Sequence, residues 1–191
     1  MLRPTDLLRT STVSILRLLL LGSLAVSAPL FAQESEHAHH PNPSKLVQDV
    51  RDATRQFVNV NNAAPDWTPL FGCVSGPDHG AMGIHYVNLK LVGDGKINVT
   101  EPEALIYEPL GNERRLVGVE YIVDAAQWLS NPDNKGLPPV LDGQTFQLVG
   151  SPNRFNLNPF FELYMWAWRD NPNGAFVDWN NKVHLREPVM R

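Results

Sequence analysis

Four ionisable residues stand inside runs that are otherwise apolar. They are His85 in Gly-Ile-His-Tyr-Val, Glu108 after Ala-Leu-Ile-Tyr, Glu120 in Leu-Val-Gly-Val-Glu-Tyr-Ile-Val and Glu162 in Phe-Phe-Glu-Leu-Tyr. A carboxylate carried into an apolar layer costs several kcal/mol unless it finds a cation, a metal, hydrogen-bond donors or a proton. His79 lies just ahead, in Asp-His-Gly-Ala-Met-Gly. Two neutral imidazoles and a carboxylate make a workable ligand set for zinc, iron or manganese. The candidate metal ligands are therefore His79, His85, Glu108 and Glu120, with Glu162 or Tyr164 orienting them or moving a proton. The His-x5-His spacing is loose, because it does not fix both rings on one face as His-Glu-x-x-His does on a helix. The same residues fit a second function. Were the acids paired with Arg114, Arg115, Arg154 or Arg169, then Tyr86, Trp166 and Trp168 would line an aromatic pocket for a small ligand, without catalysis.

Strands must position these groups. Ala81–Leu91, Ala104–Glu108, Arg115–Val123 and Thr145–Val149 are rich in β-branched and aromatic residues and bounded by turn formers, with Gly111-Asn112 joining the second and third as a hairpin. Phe160–Trp168 reads as either a fifth strand or a short buried helix, and its aromatic content favours the strand. In the third, Val117, Val119, Tyr121 and Val123 share one face and Leu116 and Ile122 the other. A strand apolar on both faces is covered on both, so Glu120 points into a closed layer. One helix is expected over 45–60. Ser44 caps it, and Leu46, Val50, Ala53 and Phe57 recur at four-three-four spacing. The fold class is α+β: a largely antiparallel sheet with one amphipathic N-terminal helix packed on it.

Residues 1–32 carry Arg3, Arg9 and Arg17, an apolar run from Leu18 and small residues up to Ala32, the marks of a cleavable signal peptide. Residues 33–43 form a polar, flexible tail containing His37, His39 and His40. Residues 44–191 form a single globular domain. The expected location is periplasmic or secreted, with no membrane span once the signal is removed. Beyond residue 32 the chain has 13 basic and 19 acidic residues, a formal charge of −6 that opposes nucleic-acid binding. Cys73 is the only cysteine, so no internal disulfide forms and the domain relies on its core. No Gly-x-Ser-x-Gly elbow, phosphate-binding loop or dinucleotide fingerprint is present. The expected partners are a small molecule or a metal ion.

The runs His79-Gly-Ala-Met-Gly-Ile-His85-Tyr-Val-Asn88, Glu103-Ala-Leu-Ile-Tyr-Glu108-Pro, Leu116-Val-Gly-Val-Glu120-Tyr and Trp166-Ala-Trp168-Arg-Asp-Asn-Pro-Asn-Gly174 resemble those of a group of uncharacterised exported bacterial proteins, over about residues 65–183. That resemblance implies export and no particular activity. Members of the group often carry histidine at the position of Tyr164, so the resemblance implies no third histidine ligand there. Residues 80–123 also resemble a stretch of plant oil-body-associated proteins and their bacterial relatives: a histidine-tyrosine run, an Ile-Tyr-acid step, then a Gly-Val-Glu-Tyr strand.

Overall fold

The computed structural model describes residues 44–76 and 79–183. The expected signal peptide and histidine-containing tail lie outside the described residues. The fold is a mixed α+β arrangement dominated by a curled antiparallel sheet.

Helix α1 (Lys45–Thr54) starts where Ser44 Oγ accepts from the Val47 amide at 3.3 Å. It is shorter than the expected 45–60, because the chain tightens into 3-10 turns at Arg55–Val58 and Val60–Asn62. The strands then follow as β1 (Thr68–Gly76), β2 (Gly80–Val87), β3 (Ala104–Leu110) and β4 (Glu113–Asp124). Short helix α2 (Leu89–Val92) sits between β2 and β3, and α3 (Ala125–Ser130) follows β4. After α3 come β5 (Val140–Leu141), β6 (Gln144–Thr145), β7 (Gln147–Val149) and β8 (Phe160–Met165). The main sheet runs β1-β2-β3-β4-β8-β7, and β5-β6 form a separate hairpin. The β3–β4 turn closes with Leu110 opposite Glu113.

The sheet is buried on both faces by two different layers. On one, Leu105, Tyr107, Leu116, Val119, Tyr121, Val123, Leu163 and Met165 join Leu46, Val47 and Val50 of α1. The Tyr107 hydroxyl donates to Phe57 O at 2.7 Å, and the Trp168 indole donates to Thr54 Oγ1 at 3.0 Å. On the other face, Ala104, Ile106, Val117, Tyr164 and Trp166 pack with Ala81, Met82, Val87 and Val183. The segment ending at Val183 is held there by reciprocal backbone bonds between Ala81 and Asn180.

The expected face assignment of β4 is corrected at one place. Val117 does not share a face with Val119; Leu116 does. The register steps from Ile106↔Gly118 to Tyr107↔Leu116, which leaves Val117 as an extra residue on β4. Such a bulge reverses the inside-outside order beyond it. Gly118, beside the bulge, has no room for a side chain: a Cβ there would lie 2.5 Å from the Met165 carbonyl oxygen. Because that obstacle is backbone, relief requires β4 and β8 to part. Gly118→Ala is expected to lose about 2–3 kcal/mol of unfolding free energy in urea.

Candidate functional site

Register alone brings the central acids together. Glu120 is paired with Tyr164 and Glu162 with Ile122, so both carboxyls project from the same face on neighbouring strands. On β2, His85 is opposite Ile106, which belongs to that same layer. The three are almost completely covered, at 3% exposure for His85, 3% for Glu120 and 5% for Glu162. His85 Nε2 lies 3.4 Å from Glu120 Oε2. The Tyr164 hydroxyl is already committed, donating to Met82 O.

Charge states follow from this burial. Burial pushes the imidazole of His85 down to about 4, outweighing the opposing Gly83 backbone, so the ring is neutral at physiological pH. Burial pushes Glu120 well above the ordinary carboxylate range. The charge and hydrogen bond of Glu162, then the fields of Asp178 and Glu103, push the same way. Burial raises Glu162 as well, while the hydrogen bond from Glu120 holds it down. Glu120 is thus the proton donor of a carboxyl pair beside a neutral histidine, and the 3.4 Å contact is not an ion pair. Among the described residues, both ring nitrogens of His85 and Glu162 Oε2, together with Glu108 Oε2 and Arg169 Nε, are buried without a hydrogen-bond partner. Among the described residues, no ion pair brings an arginine or lysine to Glu120 or Glu162.

The remaining candidates lie elsewhere, and the four proposed metal ligands do not form one shell. Glu108 lies four residues along β3 from Ala104, the partner of Glu120, which is roughly 13 Å of strand. It faces two arginines instead, Arg115 at 3.8 Å and Arg169 at 3.9 Å. His79 sits on the β1–β2 turn, exposed, with its ring 6.0 Å from that of Trp179. Among the described residues, no three His, Cys, Asp or Glu side chains are grouped so as to hold a metal ion. The aromatic set also divides. Tyr86 and Trp168 pack with the α1 layer, whereas Trp166 packs on the His85 face and donates to Val177 O at 2.6 Å.

Two residues without any sequence signal complete the picture. Phe155, between β7 and β8, places its ring 6.4 Å from His85, 5.1 Å from Phe71 and 6.2 Å from Phe160. It also lines a cleft of about 320 Å³ whose other walls include Phe71, Cys73, Val74 and Arg154. The loop is held by Asn153, whose side chain bonds Gly150, Phe155 and Leu157 backbone groups. Phe155 is therefore common to the outer cleft and the buried histidine. With Phe155→Ala, carbethoxylation of His85 by diethylpyrocarbonate, followed by peptide mass spectrometry, is expected to quicken at least tenfold. His79, already exposed, keeps its rate. The second residue is Glu103, 1% exposed and missed as a buried acid. Its Oε2 accepts from the Ile122 amide at 3.0 Å. Burial pushes its carboxyl up to about 8.

No family model, curated protein or solved structure matches this chain.

Proposed function

We propose that this chain is an exported small-ligand-binding protein whose recognition centre is His85, Glu120 and Glu162. Residues 1–32 direct export and are removed. The amphipathic helix α1 buttresses one face of the sheet, leaving the opposite face to form the site. Among the described residues no helix is long and apolar enough to cross a membrane.

One observation carries this proposal: among the described residues, both nitrogens of His85 and Glu162 Oε2 are buried without a hydrogen-bond partner. Buried groups of this kind cost about 1–3 kcal/mol each when unsatisfied, and a protein retains them where something else satisfies them. They converge beside a carboxyl that carries a proton, so the centre holds the Glu120 proton, one imidazole N–H and the open acceptors of His85 and Glu162 within one closed layer. The cleft on the far side of Phe155 supplies the approach, and its phenylalanine walls suit an apolar portion of the ligand.

Saturation-transfer NMR with small neutral, cationic and anionic molecules tests this on the parent and on Phe155→Ala. The expected result is saturable binding by at least one class, with shifts at His85, Phe155 and Tyr164. Failure of every class on both proteins would count against the site. Export is checked separately: the mass of the protein recovered from the periplasm or medium should place Gln33 first.

A further inference from the structure

We infer that the ligand of this centre is a primary monoamine, bound as its ammonium ion with a short apolar tail. This rests on the site proposed above and adds the class of molecule it takes. Two of the unpartnered atoms are acceptors: among the described residues Glu162 Oε2 has no donor, and neither has the nitrogen of the neutral imidazole that carries no proton. An ammonium group supplies three donors from a single atom, which fits the Glu120 and Glu162 carboxyls and one His85 nitrogen together. A hydroxyl supplies one donor, and a carboxylate none.

Electrostatics select in the same direction. Asp178 acts on Glu120, Glu162 and Tyr164, while among the described residues no ion pair brings an arginine or lysine to either central acid. The field at the centre is thus negative, and a cation entering it displaces the proton that Glu120 holds. The rings of Phe155 and Tyr164, centred 6.4 Å and 6.2 Å from the His85 ring, border the centre with aromatic rather than charged groups.

The tail follows from the cleft. Phe71, Val74 and Phe155 supply the apolar part of a lining that also includes Ser75 and Arg154, around a space of about 320 Å³, sufficient for a short alkyl chain. Arg154 also lines it, with its guanidinium 5.4 Å from the ring centre of Trp179. A second positive charge at the far end of the ligand would meet that guanidinium, so a monoamine is preferred over a diamine.

The test uses the full-length protein at pH 7 with four probes: n-butylammonium, 1,4-diaminobutane, n-butanol and butyrate. Binding is followed by the His85 ring signals and by calorimetry. The expected order is n-butylammonium at least tenfold tighter than n-butanol and tighter than the diamine, with no binding of butyrate. Up to one proton is released per n-butylammonium bound. Glu162→Gln should weaken n-butylammonium at least tenfold, whereas Glu108→Gln should leave it unchanged. The probe order is read on the parent, so it does not depend on a variant folding. If n-butanol or butyrate binds at His85 as tightly as n-butylammonium, the ligand class is wrong while the site stands. If none of the four shifts the His85 signals at tens of millimolar, both the class and the site are wrong.

Discussion

At pH 9 Glu103→Gln is expected to stabilise the protein strongly, although it removes a side chain that is 1% exposed and hydrogen-bonded. Glu103 titrates at about 8 in the folded protein against an ordinary value of 4.5. Between those values the folded state keeps a proton that the unfolded chain releases. Each pH unit in that window therefore lowers stability by about 1.4 kcal/mol, up to about 5 kcal/mol once pH exceeds 8. Glutamine keeps an oxygen for the Ile122 amide and has no proton to lose. The informative quantity is the difference between parent and variant at pH 9 minus the same difference at pH 4.5, from urea unfolding. A value of several kcal/mol in favour of the variant is expected. A value near zero would mean that Glu103 ionises freely in the folded protein, for example by opening toward the cavity of about 280 Å³ that it lines with Asp94, Lys96 and Glu101.

The second large effect has the opposite sign. His85 titrates at about 4 when folded and near 6.5 when unfolded. In that window the unfolded chain binds a proton that the buried ring refuses, so acidification from pH 6.5 to 4 removes stability, up to about 3 kcal/mol. His85→Gln lacks this loss. Its stability should fall less than the parent's over the same range, by about 3 kcal/mol at pH 4. Equal acid slopes for the two proteins would show that the imidazole takes up its proton without unfolding. The buried centre would then be wetter than its 3% exposure implies.

The buried acids were legible where the sequence around them was apolar on both sides. Glu120 and Glu162 stand in continuous apolar runs, and a strand covered on both faces leaves an acid no route to water. Glu103 gave no such signal. It follows Thr100-Glu101-Pro102, which has the composition of a solvated turn, and its burial depends on the Ile122 amide across the sheet. The bulge at Val117 was equally hidden, because it is a matter of pairing register rather than of composition. β1 escaped notice because Pro69, Gly72 and Gly76 interrupt it, which an irregular edge strand tolerates. α3 has too few residues to show a helical repeat, being under two turns long and started by Asp124 accepting from the Gln127 amide. The His79–His85 pairing failed for a local reason. The chain turns at Gly80, with φ of +84°, before β2 begins, so the two rings leave the backbone from different elements. Glu108 differs from Glu120 only in its neighbours: β4 places Arg115 beside it, and Arg169 adds a second guanidinium.

The charge of His85 decides whether this cluster is a ligand site or a structural ion pair. Nitrogen-15 NMR of the His85 ring between pH 5 and 8 measures it directly. A neutral ring throughout, with no midpoint in that range, is the predicted result, since the site depends on an imidazole that stays an open acceptor beside a protonated Glu120. A ring that is protonated at pH 6 or above would contradict it. His85 and Glu120 would then satisfy one another as a buried salt bridge, and the imidazole would offer no acceptor to a ligand.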